Sequence, residues 1–201
     1  MIVLGLTGSI GMGKSTTAKL FAEQGIAVND ADQVVHDLYR GEAVAPIGAI
    51  FPEAVRDGFV DRAVLAENLA KNPAKFSELE AIVHPLVRAR ERQFLEAQRA
   101  AGADMVVLDI PLLFETGGAE RVDRIVVVSC DADIQRRRVL ERPGMTREKF
   151  EMILSRQLPD AEKRARADYV IDTGHGIEAA RKRVIEIIAE VRAGTGSARD
   201  A

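Results

Sequence analysis

The stretch GSIGMGKS, residues 8–15, determines the fold that we predict for this chain of 201 residues. Gly8, Gly13, Lys14 and Ser15 occupy the defined positions of the Walker A pattern, G-x-x-x-x-G-K-[ST]. Its glycines let backbone N–H groups turn toward an anionic phosphate, and the lysine adds a full positive charge. The helix that follows points the positive end of its dipole at the same place. The stretch therefore predicts a phosphate-binding loop, with Ser15 as a ligand of Mg²⁺.

The residues on either side of the loop have the pattern that such a loop requires. Residues 2–6 form a short apolar run of strand length. After the loop, Ala18, Phe21 and Ala22 recur on one face of a predicted helix. At average residue frequencies, a chain of this length would contain the bare pattern by chance roughly once in 150 cases. A tight turn that binds no ligand is the alternative interpretation, and the strand–loop–helix context disfavours it.

Strands and helices alternate over most of the remaining chain, which predicts an α/β fold with a mostly parallel sheet. The later predicted strands are residues 26–28, 105–109, 124–129 and 169–172. Helices are predicted after the strand at 26–28 and at 133–142 and 177–192. Residues 61–101 show helical patterns only, with breaks predicted at Asn72-Pro73 and at His84-Pro85. This region therefore predicts an inserted helical subdomain.

The composition argues against several classes of protein. Apolar residues make up 47% of the chain, enough for the core of one compact domain, while aromatic residues make up 4% and disfavour a stacking platform for nucleic acid. No apolar run approaches the roughly 20 residues of a membrane span, and no signal peptide is evident. Cys130 is the one cysteine, so we predict a small core residue in a reducing compartment. We expect a cytoplasmic protein with no nucleic-acid or membrane partner, either a monomer or a small homo-oligomer.

Two absent signatures narrow the kind of phosphate-loop protein. A GTP switch usually carries an [NT]-K-x-D tetrapeptide that reads guanine, and this chain has none. Motor-type and AAA-type ATPases usually place Glu after the Asp that ends a core strand, whereas Asp109 is followed by Ile110-Pro111. Activation of water is thereby disfavoured. What remains is transfer of a phosphoryl group to a bound hydroxyl.

Two groups of residues fit such a transfer. Asp30 and Asp32 follow the second predicted strand, at the edge of an open α/β sheet where ligands gather, so one of them could accept a proton from the attacking hydroxyl. Capping of the next helix is the alternative role for this pair. Arg137 and Arg142 belong to a basic segment and fit a lid over the phosphoryl group, with Pro143-Gly144 as its turn. A solvated helical face is the alternative for the basic segment.

Five ordered motifs resemble the dephospho-CoA kinase family over nearly the whole chain. They are Leu6-Thr-Gly-Ser-Ile-Gly-Met-Gly-Lys-Ser-Thr16, Asp30-Ala-Asp32, His84-Pro85-Leu86, Pro111-Leu-Leu-Phe-Glu115, and Arg156-Gln157 followed by Ala167-Asp168. Members of this family phosphorylate the ribose 3′-hydroxyl of dephospho-CoA. The resemblance therefore implies ATP and dephospho-CoA as substrates, with Mg²⁺ as the cofactor.

The resemblance also implies a division of the chain into three working parts and a tail. These are a nucleotide-binding core of residues 1–60, 102–136 and 166–193, a helical CoA-binding region of residues 61–101, a helical lid of residues 137–165, and a flexible tail of residues 194–201. The expected fold is a parallel sheet of the phosphate-loop NTPase type with helices on both faces.

By the same resemblance, Asp32 is the catalytic base, Lys14 neutralises the β- and γ-phosphates, and Arg142 reaches in from the lid. The implied ATP-binding residues are Gly11, Met12, Gly13, Lys14, Ser15, Thr16, Arg137 and Arg142. The implied substrate-binding residues are Thr7, Asp32, His84, Pro111, Leu112, Leu113 and Glu115. Ser15 is the implied metal ligand.

Five further residues qualify this interpretation. His84 precedes a proline at a predicted helix start, so a structural turn is the alternative to a catalytic role. His36 and His175 are predicted on the surface. Ser9 replaces the second glycine that is usual after Thr-Gly in the family, a position where a small side chain is harmless. Thr173 stands where the family commonly has Asn as a candidate for adenine contact, which leaves base recognition open.

A function of another class also fits the phosphate loop. The chain could be a regulatory module that senses ATP without transferring phosphate. A kinase would lose most of its turnover when Asp32 is replaced by Asn, whereas a sensor would not respond to that change.

Overall fold

The computed structural model of the chain describes residues 1–194. These residues divide into two compact units. One unit consists of Met1–Asn29 and the chain from Gln98 onward, and the other consists of Asp30–Ala97. The flexible tail predicted for residues 194–201 lies, apart from Gly194, outside the described residues.

The described residues form seven strands and nine helices, and those of the first unit agree closely with the sequence pattern. The strands are β1 (Ile2–Thr7), β2 (Ala27–Asp30), β3 (Val55–Arg56), β4 (Phe59–Val60), β5 (Met105–Asp109), β6 (Arg124–Ser129) and β7 (Tyr169–Asp172). The helices are α1 (Lys14–Glu23), α2 (Ala31–Leu38), α3 (Val44–Ile50), α4 (Arg62–Lys71), α5 (Phe76–Ala100), α6 (Ala132–Leu140), α7 (Arg147–Leu154), α8 (Asp160–Ala165) and α9 (Ile177–Arg192). Short 3₁₀ turns lie at Pro52–Ala54, Pro73–Lys75 and Gly118–Arg121.

The main sheet has the strand order β2-β5-β1-β6-β7. β1 pairs in parallel with β5 and with β6, and β6 pairs in parallel with β7. The predicted parallel α/β fold is therefore confirmed. Because the carboxyl ends of parallel strands meet at one edge, the loop after β1 shares that edge with Asp109 of β5 and Ser129 of β6.

The sheet is buried as its composition predicts. Every residue of β5 is buried, as are five of the six residues of β6. Helices α1 and α9 contribute Phe21 and Val184, both fully buried, to the core cluster that also contains Leu4 and Val126. Cys130 is buried in the same cluster, which confirms its predicted role as a small core residue.

The second unit has a core of its own, formed by residues from α2 to α5 and from the short β3–β4 hairpin. Its fully or nearly fully buried members include Leu38, Ile47, Phe51, Val60 and Leu65. Because segments on both sides of residue 61 share this core, the compact unit begins at Asp30, earlier than the boundary that the sequence suggested. Sequence patterns also missed the hairpin, whose strands of two residues each are too short to show alternation.

The break predicted at His84-Pro85 is wrong, because α5 continues through it. A proline inside a helix removes one hydrogen bond and costs about 3 kcal/mol. The helix buries Leu79 and Val83 before the proline, and Leu86 and Val87 after it pack against the same core. Packing along this face keeps the helix in one piece. His84 therefore lies within a helix and is exposed, so the predicted turn does not exist.

Candidate functional site

The phosphate loop connects β1 to α1, as predicted. Gly13 is the N-cap of α1 with a φ of 92°, a left-handed conformation that favours glycine. A Cβ atom on Gly8 would lie 2.8 Å from the backbone oxygen of Val128, so this position has no room for a side chain. Thr17 N–H donates to Gly13 O at 3.0 Å and begins the bonding of the helix. The N–H groups before it therefore point out of the helix end, where they favour an anion.

Lys14 forms an ion pair with Asp109 at the end of β5. Its Nζ lies 2.5 Å from Oδ1 of Asp109, and the two side chains are 13% and 1% exposed. The sequence pattern around Asp109 only disfavoured activation of water, and it did not predict this contact. The strand order explains it, since β5 is the neighbour of β1 and the loop begins where β1 ends. The ion pair therefore fixes the Lys14 ammonium at the base of the loop.

Side chains from outside the loop hold its backbone. Ile10 N–H donates to Oε1 of Gln157 at 3.0 Å, and Nε2 of Gln135 donates to Ile10 O at 2.7 Å. The hydroxyl of Thr173 donates to Met12 O at 2.9 Å. The loop is thus bonded to α6, to the end of β7 and to the segment after α7.

A pocket of about 280 Å³ opens beside the loop. It is lined by Gly11, Gly13, Thr16, Thr17, Arg138, Arg142, Thr173, Gly176, Ile177 and Ala180. Arg138 donates to the hydroxyl of Thr173 at 3.0 Å and to its carbonyl oxygen at 2.8 Å. The pocket thus combines backbone of the loop with two guanidinium groups and is suited to an anionic ligand.

Sequence reasoning selected Arg137 and Arg142, and the pocket contains Arg138 and Arg142. α6 ends at Leu140, so Arg138 lies on the helix and Arg142 lies in the turn that follows it. Arg137 is exposed and lies outside the pocket lining. Arg136, Arg137 and Arg138 are adjacent in the sequence, and it is the packing of α6 that shows Arg138 to be the one that lines the pocket.

The predicted turn of the lid is present at Pro143-Gly144. Met145 N–H donates to Arg142 O at 3.1 Å, and Gly144 has a φ of 72°. α6 ends before the turn, and α7 and α8 follow it, so the segment predicted as a lid is helical. Its movement over a ligand stays a prediction.

The segment after β5 holds the residues predicted for the acceptor. The hydroxyl of Thr7 donates to Pro111 O at 3.1 Å and ties the end of β1 to this segment. Leu112 is 39% exposed, whereas Leu113 is fully buried. Leu113 therefore supports the segment from inside, and its contact with a substrate stays a prediction.

Glu115 has partners within the protein. Its Oε1 lies 2.8 Å from Nζ of Lys163 and accepts a hydrogen bond from Leu158 N–H at 2.8 Å. The Lys163 side chain is fully buried, and that of Glu115 is 16% exposed. Burial acts to raise the pKa of the Glu115 carboxyl, but the bonds from Lys163 and from Leu158 N–H outweigh it, so the pKa lies below the ordinary value. This carboxyl is therefore ionised at neutral pH.

The structure separates the roles of Asp30 and Asp32, both in the second unit. Asp30 is the N-cap of α2, and its Oδ1 accepts hydrogen bonds from Asp32 N–H at 2.9 Å and Gln33 N–H at 3.1 Å. The capping role thus belongs to Asp30. Asp32 is exposed in the first turn, and within residues 1–194 no hydrogen bond or ion pair engages its carboxylate. Its carboxylate is thus accessible to a substrate.

The histidines take no part in a cluster of ligands. His175 is 77% exposed, as predicted, with Nε2 3.4 Å from Oδ2 of Asp172. His36 on α2 is half-buried rather than fully on the surface. Over residues 1–194 no group of three His, Cys, Asp or Glu residues is placed to hold a metal ion. Mg²⁺ commonly binds through one or two protein oxygens together with substrate phosphates, and the hydroxyl of exposed Ser15 at the helix end fits that mode.

None of the described helices has the length and apolar character that crossing a membrane requires.

A parallel sheet whose first strand leads through a glycine loop into a helix, with Lys14 at the helix start, defines a phosphate-loop nucleotide-binding protein. The family model for dephospho-CoA kinase matches residues 2–178. A dephospho-CoA kinase of Rhizobium etli is 64% identical over 192 residues, which cover 96% of this chain and 95% of the relative. The chain belongs to the dephospho-CoA kinase family.

Two solved structures share this fold. A Thermus thermophilus protein superimposes with a TM-score of 0.82 and 35% identity, over 94% of this chain and 97% of its own. A dephospho-CoA kinase from Campylobacter jejuni superimposes with a TM-score of 0.73 and 24% identity, over 96% of this chain and 98% of its own. The family model and the relative from Rhizobium etli confirm the resemblance that the five motifs indicated.

Proposed function

We propose that this chain transfers the γ-phosphoryl group of ATP to the ribose 3′-hydroxyl of dephospho-CoA, giving CoA and ADP. The new bond joins the ribose oxygen to the γ-phosphorus, and the bond from that phosphorus to the β–γ bridging oxygen breaks. The proposal rests on membership of the family, and the observation that carries it is the phosphate loop with Lys14 held at its base.

The ATP side of the site is built from the loop and the pocket beside it. Backbone N–H groups of Gly11 and of residues 13–16 bind phosphate oxygens, and Lys14 neutralises charge on the β- and γ-phosphates. The N–H of Met12 instead donates to Ser9 O at 3.1 Å, so Met12 belongs to the loop without offering this donor. Ser15 together with the phosphates would hold Mg²⁺, which would supply positive charge to the transferring group. Arg138 and Arg142 line the pocket, and Arg137 lies next to Arg138 on α6, so all three are candidates to contact the nucleotide.

Asp32 is the proposed base of the acceptor side. It takes the proton from the ribose hydroxyl as the oxygen attacks phosphorus. Two features of its place in α2 support this role: the carboxylate is exposed, and Asp30 already satisfies the backbone of the turn. A negative charge in the first turn of a helix also interacts favourably with the helix dipole.

The rest of the acceptor is proposed to bind the helical region of residues 61–101, including His84, and the segment from Pro111 to Leu113 together with Thr7. The lid of residues 137–165 would exclude water, which otherwise competes with the ribose hydroxyl for the phosphoryl group. Location in the cytoplasm and assembly as a monomer or small homo-oligomer stay predictions of the sequence.

A coupled assay for ADP release tests the function. Purified chain with Mg-ATP should turn over dephospho-CoA, and mass spectrometry should find CoA as the product. Turnover of a nucleoside monophosphate or a small sugar, with none on dephospho-CoA, would show that the proposed acceptor is wrong. ATP binding without any turnover would favour a regulatory module instead.

A further inference from the structure

The C-terminal part of the predicted lid, residues 157–163, is bonded to three different parts of the first unit. We call this segment the lid base. Gln157 accepts from Ile10 N–H in the phosphate loop at 3.0 Å. Asp160 accepts from the hydroxyl of Ser129, at the end of β6, at 2.8 Å. Leu158 and Lys163 both bond to the Glu115 carboxylate after β5. The lid base therefore connects the segment after β5 to the phosphate loop.

The contact with Ile10 affects the direction of the loop's donors. Gln157 takes the N–H of Ile10, and Gln135 donates to the carbonyl oxygen of the same residue. In a trans peptide the C=O and the following N–H point in opposite directions. Fixing the Ile10 carbonyl on Gln135 therefore turns the Gly11 N–H to the other side, and Gly11 lines the pocket. Gln135 thus orients the Gly11 N–H, the first predicted phosphate donor, and Gln157 holds the peptide before it, so the two glutamines restrain both peptides of Ile10.

The contact with Glu115 fixes where Gln157 lies. Leu158 follows Gln157 directly, so the hydrogen bond from its N–H to Glu115 restrains the peptide that joins the two residues. Lys163 completes the attachment from inside, since its side chain is fully buried against the same carboxylate. A buried ammonium and its carboxylate resist separation, because a lone buried charge is strongly unfavourable.

We propose that Gln157 and Glu115 are positioning residues for ATP: Gln157 orients the phosphate loop through Ile10, and Glu115 holds Gln157 in place through Leu158 and Lys163. This assigns to Glu115 an action on the nucleotide side, instead of the direct substrate contact that the family resemblance implies. The proposal rests on the proposed function only in taking ATP as the ligand of the loop.

The direct test is Gln157→Met, which keeps the length of the side chain and removes the acceptor oxygen. Binding of the non-hydrolysable analogue adenylyl imidodiphosphate is measured by calorimetry without acceptor, and kinetics give the KM for each substrate. One hydrogen bond to a preorganised loop predicts a dissociation constant about 3–10-fold higher. The KM for ATP should rise in parallel, while the KM for dephospho-CoA should stay within about twofold. Unchanged binding of the analogue would overturn the proposal.

The role of Glu115 is tested with the double substitution Glu115→Gln/Lys163→Met, which removes the ion pair without leaving a buried charge. We expect weaker binding of the analogue, by about 2–5-fold. When Gln157→Met is added, the combined variant should bind no more weakly than Gln157→Met alone, because both changes act through one contact. A raised KM for dephospho-CoA with unchanged binding of the analogue would make Glu115 a substrate ligand and overturn the proposal.

Glu151→Gln is the matched control. It removes the carboxylate of the Arg147–Glu151 ion pair, which lies on α7 in the same lid with side chains 71% and 59% exposed. Binding of the analogue and thermal unfolding should both stay as in the unchanged chain. If the unchanged chain binds the analogue but does not phosphorylate dephospho-CoA, the proposed function fails, and the calorimetry still decides the role of Gln157.

Discussion

The N-termini of α1 and α2 differ in what their first N–H groups can bond to, although both helices come soon after a strand. At α1 the N-cap is Gly13, which has no side chain to accept a hydrogen bond from the first turn. At α2 the N-cap is Asp30, whose carboxylate accepts from two N–H groups of that turn. One helix end keeps its donors for a ligand, and the other satisfies them within the chain.

This difference separates two kinds of chemistry. The open end of α1, together with Lys14, offers positive charge and backbone donors, so it is suited to bind phosphate. At the capped end of α2, two N–H groups already donate to Asp30, so fewer donors remain for an anion. The accessible group there is the carboxylate of Asp32. We therefore expect changes at the start of α1 to weaken ATP binding, and a change of Asp32 on α2 to lower turnover without weakening ATP binding.

Replacement of Asp32 by Asn should have the largest effect on turnover. The amide cannot take the proton of the ribose hydroxyl, so kcat should fall by about 10²–10⁴-fold. Calorimetric binding of an ATP analogue should stay within about twofold, since Asp32 is not proposed to touch the nucleotide. Full activity of this variant would show that Asp32 is not the base, and it would contradict the proposed division between binding at α1 and turnover at α2.

Replacement of Lys14 by Ala should impair binding and turnover together. Loss of one charge that stabilises the transferring group predicts a fall in kcat/KM of about 10²–10³-fold. The change also leaves the buried Asp109 carboxylate without this cation. Lys14→Ala/Asp109→Asn is the control that avoids the buried charge, and it should bind the ATP analogue equally weakly while unfolding at a higher urea concentration than Lys14→Ala.

Replacement of Gly13 by Ala tests the open helix end itself. A residue with a side chain is strained at a φ of 92°, and its Cβ would lie 3.1 Å from Thr173. We expect the KM for ATP to rise by about tenfold, as a strain near 1–2 kcal/mol implies. Gly25→Ala is the matched control, because Gly25 has a φ of 79° with no atom within 4 Å of the added Cβ. It should show a similar loss of stability with an unchanged KM.

Replacement of Asp30 by Ala should have the smallest effect on turnover. Loss of the cap predicts a fall of about 1 kcal/mol in the free energy of unfolding. Asp61→Ala removes the equivalent cap of α4, where Oδ1 of Asp61 accepts from Ala63 N–H at 2.9 Å, and should cost a similar amount in urea titrations. A fall in kcat as large as that of Asp32→Asn would contradict the separation of roles between Asp30 and Asp32.

The parts of the site that depend on local chemistry were predictable from the sequence. The loop and the helix after it follow from glycine spacing, and Lys14 follows from the same pattern. The pairing of Asp30 and Asp32 was visible too, although only hydrogen-bond geometry shows that Asp30 is the cap. Five ordered motifs were enough to indicate the family.

The remaining parts depend on contacts between residues far apart in the chain. The ion pair of Lys14 with Asp109 requires β5 to lie beside β1, an order that no local pattern specifies. The continuation of α5 through Pro85 depends on tertiary packing that outweighs the local cost of proline. Glu115 shows a third case: its motif was recognised, but its buried partner is nearly fifty residues away in sequence.

The ion pair of Lys14 and Asp109 changes what an arriving nucleotide has to do. The Lys14 ammonium is already paired with the Asp109 carboxylate, so a bound phosphate has to compete with that carboxylate for the ammonium. A single phosphate ion gains little from that exchange. A chelate of a polyphosphate with its own divalent cation gains more, because the cation can offset the carboxylate that the lysine leaves behind. We therefore expect the site to prefer a polyphosphate bound with its divalent cation over a lone phosphate ion.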